Sequence, residues 1–167
     1  IDFMRARAEG RTDQSVIDAV KASGLAVSCV GIEPGWLYAS ATDYATLLQA
    51  VHDSCAWAKA LGCPRLMSAS DRGSGDNDVA RARMREIGGI VQDAGLVLAF
   101  EFNSQAEFMN SLPRARELVD GAAHAACRLL VDTYHICRSG CTIAELSDLR
   151  REEIAYVQYS DVPRSGL

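Results

Sequence analysis

Three segments of the chain run apolar and then end in an oxygen-bearing side chain. They are Leu98-Ala99-Phe100-Glu101-Phe102-Asn103, Leu129-Leu130-Val131-Asp132-Thr133-Tyr134-His135 and Tyr156-Val157-Gln158-Tyr159-Ser160-Asp161. Glu101 precedes Asp132 by 31 positions, and Asp132 precedes Gln158 by 26. Each interval is one strand-plus-helix unit, so the three groups fall at the same end of adjacent parallel strands. Such strands lie ~4.8 Å apart, and oxygens from them can converge on one cation at roughly 2.0–2.2 Å. An unpaired carboxylate at an apolar strand end costs several kcal/mol or gives up its charge. Two carboxylates beside a carboxamide oxygen therefore point to a divalent metal held by Glu101, Asp132 and Gln158. Hard oxygen donors favour Mn²⁺ or Mg²⁺, with Co²⁺ and Zn²⁺ admissible. The competing reading is that each group bonds a loop amide or an Arg at the rim.

Such a site suits one kind of chemistry. A divalent ion can hold an α-hydroxy carbonyl through both oxygens and stabilise the enediolate left by proton loss. A carboxylate such as Glu101 then removes and returns the proton. His135 could donate to the carbonyl oxygen or carry a proton between neighbouring oxygens. Arg164 could clamp an anionic group bidentately, with Arg5 and Arg7 as further anion candidates. Trp36 and Tyr38 follow an early strand, where they could cover the ligand or simply fill the mouth of the fold. His52 and His124 lie in or near helices and read as structural.

The elements that would position these groups recur along the chain as helix, glycine and strand. Thr12 or Asp13 caps a first helix that Gly24 ends, and Leu25–Val30 reads as a strand. Thr42 or Asp43 starts a second helix. Its Tyr44, Leu47, Leu48, Val51, Cys55 and Ala58 share one face. Gly62 ends it before a strand at Arg65–Ser68. Asp76 or Asn77 caps a third helix that Gly95 ends, ahead of a strand at Val97–Phe102. Glycine just past a helix end is the expected left-handed stop. Leu112–Val119 reads as a helix, with Pro113 tolerable in its first turn. Leu129–Asp132 is a strand, Ile143–Arg151 a helix and Ala155–Ser160 a strand, while Ile1–Met4 could be a strand at the front. Near-continuous apolar strands alternating with helices indicate a parallel sheet covered on both faces. A nucleotide-binding open sheet needs a Gly-rich turn that Gly73-Ser74-Gly75 does not supply. The remaining choice is a (β/α)₈ barrel. About six strands are countable, against a full barrel of ~250 residues. The expectation is one barrel domain over residues 1–167, lacking about two units and truncated at both ends.

Composition narrows the class. The chain has 167 residues, 49% of them hydrophobic and 23% charged, with a net charge of −5. That mixture excludes a disordered tail. The acidic balance disfavours nucleic acid, which demands a basic face. No apolar run approaches the ~18–20 residues that span a bilayer, so no membrane partner is expected. The six cysteines form no C-x-x-C pair and read as reduced thiols of a cytoplasmic protein. Cys137 and Cys141 near His135 make at most half a zinc site, with no second Cys/His pair to complete it. The expected partner is a small polyol or keto compound, and a homo-oligomer is allowed.

The segments Leu98-Ala99-Phe100-Glu101-Phe102, Val131-Asp132-Thr133-Tyr134-His135 and Val157-Gln158-Tyr159-Ser160-Asp161-Val162-Pro163-Arg164 resemble the sugar phosphate isomerase/epimerase superfamily. This xylose isomerase-like TIM barrel group includes hydroxypyruvate isomerases, inosose dehydratases and ketose 3-epimerases. The resemblance implies that Glu101 is the first metal-binding glutamate and an acid/base, and Asp132 the metal-binding aspartate. It implies that His135 contacts substrate and that Arg164 meets a carboxylate or phosphate. Gln158 takes the third ligand place, filled by His in ketose epimerases and by Gln in hydroxypyruvate isomerase-like and 3-dehydroshikimate dehydratase-like branches. The family's fourth ligand is a glutamate on its last strand, and the sequence stops at Leu167 before that strand would come. This implies weak metal binding and no turnover for the stretch alone. The expected function is a metal-dependent isomerase or epimerase of a small sugar, sugar phosphate or hydroxy-keto acid. The alternative is a dehydratase on the same site, in which the same enolate expels a β-hydroxyl. A barrel that has lost its site is disfavoured by the four polar groups together. The DNA-repair endonuclease relatives, rich in histidine, are disfavoured by three histidines and the negative charge.

Overall fold

A computed structural model describes residues 3–161, apart from the side chain of Met4. In chain order the elements are α1 (Phe3–Ala8), α2 (Asp13–Ala22), β1 (Val30–Gly31), α3 (Ala41–Ala60), β2 (Arg65–Ala69), α4 (Asn77–Asp93) and β3 (Val97–Glu101). They continue with α5 (Leu112–Ala122), β4 (Cys127–Asp132), α6 (Thr133–Arg138), α7 (Ile143–Ser147), a 3₁₀ turn (Arg151–Glu153) and β5 (Ile154–Gln158). The five strands form one sheet in the order β1-β2-β3-β4-β5, every pair parallel. Sequential parallel strands with helical crossovers are the barrel topology. The sheet is curved. Gln158 of β5 reaches Met67 of β2, and the Tyr156 hydroxyl lies 2.8 Å from the Ser28 hydroxyl ahead of β1. Arg65 stacks on the Tyr156 ring and donates to the Ser28 carbonyl. Side chains of strands far apart in sheet order can meet in this way only across a concave face.

The opposite face carries the helices. Leu66, Leu98, Phe100 and Leu129 are buried there with Val51, Ala58, Met84, Ile87 and Val91 from α3 and α4. Local signals fix the helix ends. Thr12, Ser40 and Asp76 accept from backbone amides of the first turns of α2, α3 and α4, which pairs otherwise orphaned donors. Gly24, Gly62 and Gly95 adopt φ of +68°, +64° and +75° just past the same helices, a region costly for any residue with a Cβ.

The described residues hold five strands, not about six. Residues 1–2 lie outside them, and Phe3 opens a helix instead of closing a strand. Its ring stacks on Trp57 of α3 at 4.2 Å and is buried, so helix-to-helix packing wins over sheet pairing. The strand expected at Leu25–Val30 shrinks to Val30–Gly31, which pairs on one side only, with β2. The helix expected at Ile143–Arg151 splits into α7 and the 3₁₀ turn. Arg116 of α5 binds Asp148 and Glu153 on either side of the break. Arg7, an anion candidate, is taken by Asp13 and Asp53 and stacks on Trp57. Arg5 pairs with Glu9 one helical turn on. The six cysteines are all free thiols, and no described helix is long and apolar enough to cross a membrane.

The adjacent glycines of α4 should respond oppositely to alanine. A Cβ on Gly88 would lie 2.7 Å from Cys127 Sγ and from His124 Nδ1, whereas one on Gly89 meets nothing. We expect Gly88→Ala to cost about 1–3 kcal/mol by overpacking and Gly89→Ala to gain about 0.5–1 kcal/mol of helix propensity. Urea unfolding of both variants checks the pair, and equal effects would contradict this packing.

Candidate metal centre

The sheet register brings the predicted groups together. Side chains alternate across a strand, so Met67 and Ala69 of β2, Ala99 and Glu101 of β3, and Leu130 and Asp132 of β4 face the concave side. Ala69 is the register partner of Glu101, and Gln158 is the register partner of Asp132. Glu101, Asp132 and Gln158 therefore end three successive strands on one face. This is the C-terminal rim, where barrels of this kind keep their chemistry. Gln158 lies beside Asp132, with its amide nitrogen 3.6 Å from the Met67 sulfur.

Glu101 and Asp132 are only 5% and 8% exposed. Ligand atoms of Glu101, Asp132 and His135 lie within 4.8 Å of one another. Among the described ion pairs no Arg or Lys reaches either carboxylate. Burial, then the neighbouring charge of Asp132 and a hydrogen bond to it, push Glu101 up to about 7. Asp132 also closes the start of α6, accepting from the Tyr134 amide at 2.7 Å. That bond turns the chain from strand into helix and delivers His135 to the same mouth. His135 Nε2 stands 3.9 Å from Glu101 Oε1. Its ring lies against Phe102 and Tyr134. Burial lowers its pKa against the opposing pull of the Asp132 charge, which favours the neutral ring.

These residues fit a divalent cation. Among the described residues no cationic side chain pairs with these poorly solvated acids, and a carboxamide stands next in register. Glu101, Asp132 and Gln158 would hold such an ion as hard oxygen donors. The Cys137–Cys141–His135 half-site does not assemble. Among the described residues the cluster of potential ligands around His135 contains the two acids and no thiol.

The other predicted residues separate. Trp36 lies apart from Glu101, Asp132 and His135. It is 0% exposed and its indole N–H donates to Ser68, whose side chain points to the helix side of β2. The sheet itself stands between Trp36 and the concave face. Tyr38 lies in the same loop, which Asp71 fixes by accepting from the Gly35 and Tyr38 amides. Arg83 holds that loop too, through three of its carbonyls. Arg164 lies outside the described residues. His52 is exposed, and His124 accepts from the Ala126 amide. Sequence reasoning missed Ser104, which touches His135 Nδ1 through both its amide and its hydroxyl. A hydroxyl residue three positions after a strand-end glutamate was the available signal. It also missed Asp71, a further strand-end acid, whose carboxylate is consumed by the loop.

The raised Glu101 pKa has a definite sign for stability. The folded protein binds this proton more tightly than an unfolded chain, where the carboxyl has its ordinary value of 4.5. The contribution is therefore fully present at low pH and is lost as pH rises from the unfolded value through about 7. For metal-free protein at about pH 8 we expect Glu101→Gln to be more stable than wild type by about 2 kcal/mol, the gap closing by about pH 5. Urea titrations with chelator check this, and a variant no more stable at the higher pH would contradict it.

Comparison with known proteins agrees with this fold. The fold is similar to that of an IolI protein solved with a bound zinc atom, with TM-score 0.76 and 15% identity over 89% of this chain and 58% of that one. It is similar to 3-keto-D-glucoside 4-epimerase from E. coli, with TM-score 0.74 and 17% identity over 89% of this chain and 64% of that one. It is also similar to a probable 3-DHS dehydratase, AsbF, from Bacillus anthracis, with TM-score 0.70 and 17% identity over 86% of this chain and 55% of that one. At these identities the likeness shows the fold alone, and the chain spans less than two thirds of each of these proteins. No curated protein sequence matches it significantly. The sequence model of one family matches residues 4–166. The chain belongs to the xylose isomerase-like TIM barrel family.

Proposed function

We propose that this chain forms the metal-binding part of an isomerase or epimerase acting on a small sugar, sugar phosphate or hydroxy-keto acid. The observation that carries the reading is the buried Glu101–Asp132 pair, with His135 beside it and no described Arg or Lys partner. Mn²⁺ or Mg²⁺ suits the three oxygen donors. Such an ion would stabilise negative charge developing on the oxygens of an α-hydroxy carbonyl. Glu101 takes the proton from the hydroxyl-bearing carbon next to the carbonyl and returns it to the former carbonyl carbon, which isomerises the substrate. A carboxyl near neutrality can do both. Epimerisation would need a second acid/base to return the proton to the first carbon from the opposite face. His135 faces the same space and hydrogen-bonds a substrate oxygen. Arg164 is the proposed anchor for an anionic substrate group. Six unpaired thiols support a cytoplasmic setting.

The second reading is a dehydratase. Gln158 in the third ligand place is as compatible with it as with a hydroxypyruvate isomerase-like activity, and the fold is shared with the dehydratase above. Proton removal by Glu101 is common to both readings, and they differ in whether a β-hydroxyl then leaves.

Three measurements test the proposal. Calorimetric titration with Mn²⁺ should show one ion per chain, with Asp132→Asn and Gln158→Ala each weakening it by at least about tenfold. Incubation of the metal-loaded full-length protein with hydroxy-keto acids in deuterium oxide should exchange the proton next to the carbonyl, and Glu101→Gln should slow exchange by about 10²–10⁴. Incubation with dehydroshikimate decides between the readings, because growth of an aromatic ultraviolet band would replace the isomerase with the dehydratase. Binding of no ion, or undiminished exchange in Glu101→Gln, would contradict both.

A further inference from the structure

The His135 ring can act in two ways at the concave mouth. With a bare Nε2 it is a fourth metal ligand beside Glu101 and Asp132, as its distances allow. With a proton on Nε2 it is a hydrogen-bond donor and binds no metal. The choice depends on the other ring nitrogen, because a neutral imidazole carries one proton. The backbone amide of Ser104 lies 3.2 Å from Nδ1. An amide hydrogen can only donate, so Nδ1 must present its lone pair. The Ser104 hydroxyl lies 2.9 Å from the same atom. With Nδ1 unprotonated, that hydroxyl donates as well.

We propose that Ser104 is a positioning residue for His135: its amide and hydroxyl hold Nδ1 as an acceptor, keep the ring proton on Nε2, and make the ring a donor toward substrate instead of a metal ligand. The geometry around the ring supports this. Phe102 and Tyr134 flank it, Ser104 grips one edge, and the opposite edge looks toward Glu101 Oε1 at 3.9 Å. An Nε2–H in that place faces an acceptor oxygen whichever form Glu101 takes, whereas a bare Nε2 would meet repulsion once Glu101 ionises. The metal ligands are then the oxygen set of Glu101, Asp132 and Gln158. The donor meaning of Nε2 rests on the isomerase reading, whereas the tautomer itself does not.

Long-range proton–nitrogen correlation spectra of ¹⁵N-histidine-labelled protein test the assignment. The His135 signals are identified by their loss in His135→Gln. Wild type should show the pattern of a ring protonated on Nε2, and saturating Mg²⁺ should leave that proton in place. Ser104→Ala keeps the amide and loses the hydroxyl, so the ratio of the two tautomers should shift by about two- to tenfold toward Nδ1–H. Ser104→Thr should restore it. A wild-type ring protonated on Nδ1, or loss of the Nε2 proton on adding Mg²⁺, would overturn the proposal. An unchanged ratio in Ser104→Ala would overturn the role given to the hydroxyl. Failure of the protein to exchange protons of any hydroxy-keto acid would remove the isomerase reading and leave the tautomer result standing.

Discussion

Two carboxylates held side by side with almost no access to water repel each other. Unit charges 4 Å apart at an effective dielectric constant of 20 do so by about 4 kcal/mol. A fold puts up with such a pair when something outside the chain relieves it, or when one acid keeps its proton. Glu101 shows the second response, with its pKa raised by burial and by Asp132. A divalent cation would supply the first. The same pair thus provides both a cation seat and a proton carrier working near neutrality. It also accounts for a local loss of stability that a core of Leu98, Phe100 and Leu129 behind the sheet can offset.

The parallel register turns that constraint into a site. Strand alternation sends Glu101, Asp132 and Gln158 to the concave face, and the helices bury the other face under apolar side chains. Asp132 does a second job: its carboxylate starts the short helix that carries His135 to the same mouth. Ser104, on the loop after β3, then fixes the ring. One strand end, one helix start and one loop therefore converge, and among the described residues no Arg or Lys pairs with the acids there. The ion pairs of Arg7 and Arg116 serve instead to tie helices and turns together elsewhere.

Much of this was legible in the sequence, because helix caps, glycine stops and strand-end acids are local signals. Thr12, Asp76 and the three glycines after α2, α3 and α4 sit where their chemistry requires. The 31- and 26-residue intervals were enough to put Glu101, Asp132 and Gln158 on one face. What the sequence did not reveal depended on tertiary partners. Phe3 is helical because Trp57 stacks on it. Trp36 lies behind the sheet because Ser68 and Phe100 receive it there. Neither partner is near in sequence, and no periodicity announces either contact. Ser104 escaped notice because its role depends on a ring 31 residues away.

Crystals grown with Mn²⁺ and measured for its anomalous scattering test the central claim most directly. The account predicts one strong peak at the concave mouth, within about 2.0–2.2 Å of oxygens from Glu101, Asp132 and Gln158, with His135 Nε2 outside bonding distance. A peak bonded to His135, a peak among the thiols of Cys137 and Cys141, or no peak at saturating Mn²⁺ would contradict it.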